Sequence, residues 1–196
     1  MKSTIKFAIT LGIVGAVIGL ALAVVWRITS PVIALQDQKA LEEGLKAIFP
    51  GDYKFEKLSE PLKTTDPSGV IGDCFAVKSS NETEGLVVTI TVPGSQAPIK
   101  LIVGVKKDGT ISGVKILSLQ ETAGLGANAD NPNYYVNKND RITFTGQFSG
   151  KNIGKDPLEV KKDVLAITGA TITSKAVTSA VKIAGNVAYN YLKEGQ

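Results

Sequence analysis

The stretch IKLIVGVKKDGTISGVKIL, residues 99–117, decides the fold class. Ile99, Leu101, Val103 and Val105 alternate with Lys100, Ile102, Gly104 and Lys106, the period-two pattern of a strand. Asp108-Gly109 is a hairpin-turn dipeptide, and Ile111–Leu117 returns along the first strand. Upstream, Asp73–Ser79 and Gly85–Val92 are apolar and β-branched, with polar turns at residues 80–84 and 93–98. Together these segments predict an antiparallel sheet of roughly four or five strands.

Outward from the sheet the pattern changes on both sides. Residues 120–154 are rich in Gly, Asn and Asp and read as long loops with short helical turns. After Thr173-Ser174, the residues Val177, Val181, Ala184, Ala188 and Tyr191 recur at four and three. They make one apolar stripe of a helix that ends near Lys193-Glu194-Gly195. Before the sheet comes a turn-rich stretch with Pro61, Asp66-Pro67 and Gly69. Before that, Ser30-Pro31 reads as an N-cap with proline at the first helical position. Leu41, Leu45 and Ile48 continue that helix, and Pro50-Gly51 ends it.

The amino-terminal segment has another character. From Phe7 to Trp26 no side chain is charged. As a helix, the run spans about 30 Å, the thickness of a bilayer's hydrocarbon core. Lys2 and Lys6 precede it, Arg27 follows it, and Trp26 sits where an interfacial aromatic belongs. The positive flank favours a cytoplasmic amino terminus with the remaining chain outside. A cleaved signal peptide is the alternative, but Ala21-Leu22-Ala23 lies inside the run. Gly15 and Gly19 suit either helix–helix packing or the ordinary glycine content of membrane helices. The expected fold class is α+β: a transmembrane anchor (1–29), a juxtamembrane helix (30–50), and one domain (51–196) of antiparallel sheet packed by helices.

Composition narrows the chemistry. The 196 residues contain no His and a single Cys, Cys74. His-ligated metals, haem and His-dependent triads are therefore excluded, as are an intrachain disulfide and a cysteine-held cluster. No metal site is expected. Cys74, inside a strand-like Asp-Cys-Phe-Ala-Val, reads as a small core residue. The net charge of +4 lacks any basic block of the kind that binds nucleic acid. A reactive thiol is the alternative for Cys74, so any redox activity must come mainly from a bound organic cofactor.

One segment concentrates polar groups. Thr168-Gly169-Ala170-Thr171-Ile172-Thr173-Ser174-Lys175 sets four hydroxyls and a glycine just before a helix. Unpaired amides and the positive end of the helix dipole make that place suited to a phosphate, with Lys175 adding a charge. An equally physical reading is a Ser/Thr-rich helix cap beside a solvated lysine.

Thr168-Gly169-Ala170-Thr171 resembles the Ser/Thr-Gly-Ala-Thr motif of the FMN-binding domain family shared by RnfG and NqrC, subunits of the Rnf and sodium-pumping NADH:quinone oxidoreductase complexes. Glu121-Thr122-Ala123-Gly124-Leu125-Gly126 resembles that family's Glu-Thr-Pro-Gly-Leu-Gly loop. The order of anchor, Thr29-Ser30-Pro31, helix to Phe49-Pro50, loop and motif fits as well, and the length is closer to RnfG. The resemblance implies covalent FMN, held as a phosphoester on Thr171 and installed by a flavin transferase that uses FAD. It also implies that the 121–126 loop lies by the flavin ring, where Gly124 and Gly126 admit close backbone approach. Two departures stand out: Ala123 replaces proline, and Leu165 occupies a position commonly held by Asp, the nearest acid being Asp163.

The implied role is electron relay among membrane and peripheral subunits of an Rnf complex, which links ferredoxin and NAD to transport of sodium ions or protons. The chain alone is not expected to be catalytic. The rivals are an NqrC-type subunit and a non-redox anchored binding module whose Thr-rich turn is only a cap. A free-standing flavin reductase is disfavoured by the lack of a dinucleotide fingerprint.

Overall fold

The computed structural model describes residues 2–60, 62, 66–79 and 82–194. Pro61, Ser80 and Asn81 of the expected turns, Gly195 at the expected helix end, and the Lys2 side chain lie outside the described residues. The chain divides into two compact units, Met1–Leu41 and Glu42–Gln196.

Helix α1 runs from Lys2 to Ile48 without interruption, so Ser30-Pro31 does not start a second helix. Pro31 deletes one backbone bond, the one its missing N–H would make to the Arg27 carbonyl. Most of the residues beyond it, between Ala34 and Ala47, are strong helix formers, Asp37 and Gly44 being the exceptions, and they carry the helix on. The Thr29 hydroxyl donates back to the Val25 carbonyl at 2.8 Å. In the first unit the apolar side chains from Phe7 to Trp26 are exposed. This helix is long and apolar enough to cross a membrane.

The second unit is built on a five-stranded antiparallel meander of β1 (Lys54–Lys57), β2 (Val70–Ser79), β3 (Glu82–Pro93), β4 (Pro98–Lys106) and β5 (Ile111–Ser118), in that spatial order. The 99–117 hairpin pairs as read, with Val103 opposite Val114. At its turn Gly109 takes a φ of 81°, and the Thr110 amide donates to the Asp108 carboxylate at 2.9 Å. Strand β1 escapes a pattern reading because Lys-Phe-Glu-Lys carries an edge strand's charges: Glu56 pairs with Lys78 at 2.6 Å and Lys57 with Asp73 at 2.8 Å.

Alternation along the strands sorts side chains onto two faces. Leu86, Val88, Ile90, Leu101, Val103 and Cys74 face helix α2 (Thr171–Glu194) in the main core. Cys74 is the core residue expected, and burial pushes its thiol up to about 11. On α2 the stripe Val177, Val181, Ala184 and Ala188 is buried as read. It continues by a four-residue step to buried Leu192, whereas Tyr191 is exposed. On the opposite face the end of α1 covers the sheet. Phe49 fits because Gly85 and Gly104 lack Cβ; a Cβ on either would come within 2.8 Å of its ring. That cover explains why Ile102, on the same face as Gly104, is fully buried.

The stretch after β5 contains two 3-10 turns, Gly126–Asp130 and Gly146–Phe148, and a small ribbon of β6 (Tyr135–Asn137) and β7 (Ile142–Thr143). It is held down by Phe144 and Phe148, fully buried and stacked edge to face at 5.8 Å.

Candidate functional site

The Thr-Gly-Ala-Thr segment is a tight turn feeding α2. The Ala170 amide closes it on the Ile167 carbonyl at 3.0 Å, with Gly169 at a φ of 75°. A positive φ at the third residue alone marks a type II turn, for which glycine is the ready occupant. Ser174 staples the turn from beneath. Its hydroxyl accepts the Ile167 amide at 3.0 Å and donates to the Ala170 carbonyl at 2.8 Å. Fully buried and doubly bonded, Ser174 serves the scaffold rather than a ligand.

The helix begins at Thr171, so Thr173 is its third residue and not the cap that Ser/Thr statistics suggest. The first helical bond runs from the Ser174 amide to the Ala170 carbonyl at 3.0 Å. The amides of Thr171, Ile172 and Thr173 have no partner among the described residues. Three free N–H groups at the positive end of a 24-residue helix form an anion cradle. The Thr171 hydroxyl, exposed beside them, likewise has no partner among the described residues.

Glu121-Thr122-Ala123-Gly124-Leu125-Gly126 comes to the same place. A second type II turn, closed from the Leu125 amide to the Thr122 carbonyl at 3.1 Å, has Gly124 at a φ of 76°. Glu121 knits three segments together. One carboxylate oxygen accepts the amides of Ser95 at 2.6 Å and Gln96 at 3.2 Å; the other accepts the Thr173 hydroxyl at 3.1 Å. A Cβ on Gly126 would lie 2.7 Å from both the Glu121 oxygen and the Thr173 hydroxyl. The glycine there leaves room for this clamp. A Cβ on Gly169 would lie 2.8 Å from the Leu125 side chain, so the two motifs also touch through apolar atoms.

Between them opens a cleft of about 280 Å³. Among its lining residues are Glu121, Thr122, Leu125, Gly126, Gly169, Ala170, Thr171 and Thr173. Of the other residues expected at the site, Thr168 and Gly124 are exposed on the adjoining turns and Ser174 lies beneath. Lys175 faces a neighbouring cleft with Glu159 and Lys182. Ser95 and Ile172 also line the cleft, though no sequence motif singles them out. The only sign of Ser95 is Gly94 in a polar turn, where a Cβ would collide with the Glu121 carboxylate.

Asp163, the acid nearest position 165, is engaged by its neighbours. It accepts the Glu159 amide at 2.8 Å, the Lys151 ammonium at 3.1 Å and the Leu158 amide at 3.3 Å, all within its own loop. Leu165 is half exposed, its backbone held by the Gln147 side-chain amide.

A phosphate fits the three amides, and the apolar Leu125 and Ile172, 43% and 64% exposed, suit a flat ring. FMN has both parts. Residues 94–186 match the FMN-binding domain. The chain is 36% identical, over 90% of its own length and 88% of the relative's, to the G subunit of the proton-translocating ferredoxin:NAD(+) oxidoreductase complex of Clostridium ljungdahlii. It is 30% identical, over 93% and 88%, to the G subunit of the ion-translocating oxidoreductase complex of Shewanella piezotolerans. With the G subunit of the Na(+)-translocating ferredoxin:NAD(+) oxidoreductase complex of Acetobacterium woodii the identity is 28%, over 98% and 95%. An FMN-binding domain and likeness across nearly the whole length of these relatives mean that the chain belongs to the RnfG family, the G subunits of ion-translocating (Rnf) oxidoreductase complexes.

Proposed function

We propose that this chain is the electron-carrying G subunit of a membrane-bound, ion-translocating ferredoxin:NAD oxidoreductase complex, with FMN esterified through its phosphate to the Thr171 hydroxyl. The observation that carries the reading is the conjunction at Thr171: an exposed hydroxyl beside three amides, all without a partner among the described residues, in a cleft lined by both motifs. A flavin transferase would install the group from FAD; the Thr171 oxygen bonds to the FMN phosphorus, AMP leaves, and the hydroxyl proton is released. In this reading the Thr171–Thr173 amides hold the phosphate, and Leu125 and Ile172 border the ring. The cleft is at the small end of ligand sites, which run from about 300 Å³ upward, so part of the flavin stays open to redox partners. Bound FMN supplies reversible one- and two-electron transfer.

The rest of the reading follows from α1. Left in water, each large apolar side chain between Phe7 and Trp26 forgoes about 1.5–3 kcal/mol of burial. A bilayer removes that cost, with the amino terminus in the cytoplasm and the domain on the other side. Away from the cytoplasm a dissociable flavin would be lost, and a covalent tether keeps it at high local concentration. The other subunits of the complex are the electron donor and acceptor.

The test is Thr171→Ala in the full chain, produced with the transferase. We expect the unaltered chain to exceed its polypeptide mass by FMN less one water, to absorb as a flavin and to fluoresce after denaturation. The variant should show none of these. An unaltered chain of plain polypeptide mass under those conditions would overturn the reading. Flavin persisting on the variant would move the linkage to Thr168 or Thr173.

A further inference from the structure

We propose that the rim of this cleft docks against an uncharged protein surface surrounding the redox centre that exchanges electrons with this chain; the inference rests on the electron-carrier reading above. Three segments form the rim and its flanks, residues 93–99, 122–129 and 164–174. None contains Asp, Glu, Lys or Arg, in a chain that is 20% charged. Among the described residues Glu121 is the one ionisable side chain lining the cleft, and its oxygens are occupied by two amides and the Thr173 hydroxyl. Of the charges that flank these segments, Lys100 stands exposed on β4, and two others are directed elsewhere. Asp130 pairs with Lys115 at 3.4 Å, and Lys175 faces the neighbouring cleft.

The rim is exposed as well as neutral. Gln96, Ala123, Gly124 and Thr168 stand in solvent just outside the cleft lining. Of the large apolar side chains exposed on the second unit, Leu125 and Ile172 are both here. Proteins that meet by charge attraction carry complementary fields around the contact. The exposed side chains of this rim offer no charge for a partner to pair with. A partner's charge pressed against it would lose water and gain no counter-charge, which selects against a charged face. An uncharged face meets no such penalty and gains the burial of Leu125 and Ile172.

The test places one charge of each sign at two rim positions outside the cleft lining: Ala123→Lys and Ala123→Glu, and Gln96→Lys and Gln96→Glu. Each full-length variant is assembled with its complex in native membranes. The intact mass of the chain gives its flavin load, and the re-oxidation rate of its flavin is followed after a reduction pulse. Both signs at both positions should slow exchange, by about tenfold or more, at unchanged flavin load. Acceleration by one sign and slowing by the other would identify a charged partner face and overturn the proposal. Unchanged rates in all four would show that the rim touches no partner, with the same consequence. An unaltered chain that lacks flavin would instead remove the electron-carrier reading, an outcome the mass reports separately.

Discussion

The Glu121 carboxylate accepts the Thr173 hydroxyl at 3.1 Å, across 52 positions of sequence. Because the same carboxylate also holds the Ser95 and Gln96 amides, it ties the loop before β4 and the loop after β5 to the first turn of α2. The clamp sets the width of the cleft. Thr173→Val keeps the shape and deletes the hydroxyl; Glu121→Ala strands three donors. We expect losses of about 1 kcal/mol for the first and about 1–3 kcal/mol for the second. The double variant should lose less than their sum, since the two share a bond. Denaturant unfolding of the detergent-solubilised chain measures all three. Thr173→Val should keep its flavin, which separates a positioning hydroxyl from the linking one at Thr171.

Three glycines at the site should respond to alanine in a definite order. Gly124→Ala meets only its positive φ, with nothing within 4 Å of the new carbon, and should cost about 1–2 kcal/mol. Gly169→Ala has a similar φ and also a contact at 2.8 Å with Leu125, so it should cost more. Gly126→Ala enters the Glu121–Thr173 clamp at 2.7 Å and should lower flavin incorporation along with stability. Thermal unfolding and flavin content of the three variants check the order. A Gly124 variant worse than the Gly126 variant would contradict it.

Ala123 offers a gain. It is the second residue of the type II turn closed by Leu125, the place where proline's fixed φ is favoured. Ala123→Pro should stabilise the chain by about 0.4–1 kcal/mol, by restricting the unfolded state. A raised melting temperature at unchanged flavin load is the expected result.

The sheet is legible in the sequence because period-two alternation and Asp108-Gly109 are local signals, and both hairpin strands are found where they place them. The features that escape such a reading are those decided at a distance. Ser30-Pro31 looks locally like a helix start, but one lost hydrogen bond does not stop a helix flanked by good formers. Thr173 looks like a cap until Glu121, 52 residues away, claims its hydroxyl. Adjacency groups Ser174 and Lys175 with the site, yet the helical turn sends one beneath the cleft and the other to its neighbour. Ser95 gives no sequence signal beyond a turn, because the chain brings it to the site only by folding the sheet.

Asp163 supplies a pH dependence of known sign. Its side chain is 18% exposed. Burial alone would raise its carboxyl, but the Glu159 amide, the Lys151 ammonium and the Leu158 amide outweigh burial and hold it below the usual carboxylate range. A depressed folded-state value means that the contribution to stability is complete above the unfolded value, about 4. It is lost as pH falls through the folded value. Asp163→Asn should therefore lower the melting temperature at pH 7, where the ionised carboxylate holds the loop that precedes the Thr-Gly-Ala-Thr turn. The gap between variant and unaltered chain should shrink on acidification below about pH 4. Melting curves at a series of pH values check this; a gap that stayed constant down to strong acid would mean that the Asp163 charge contributes nothing to holding the loop.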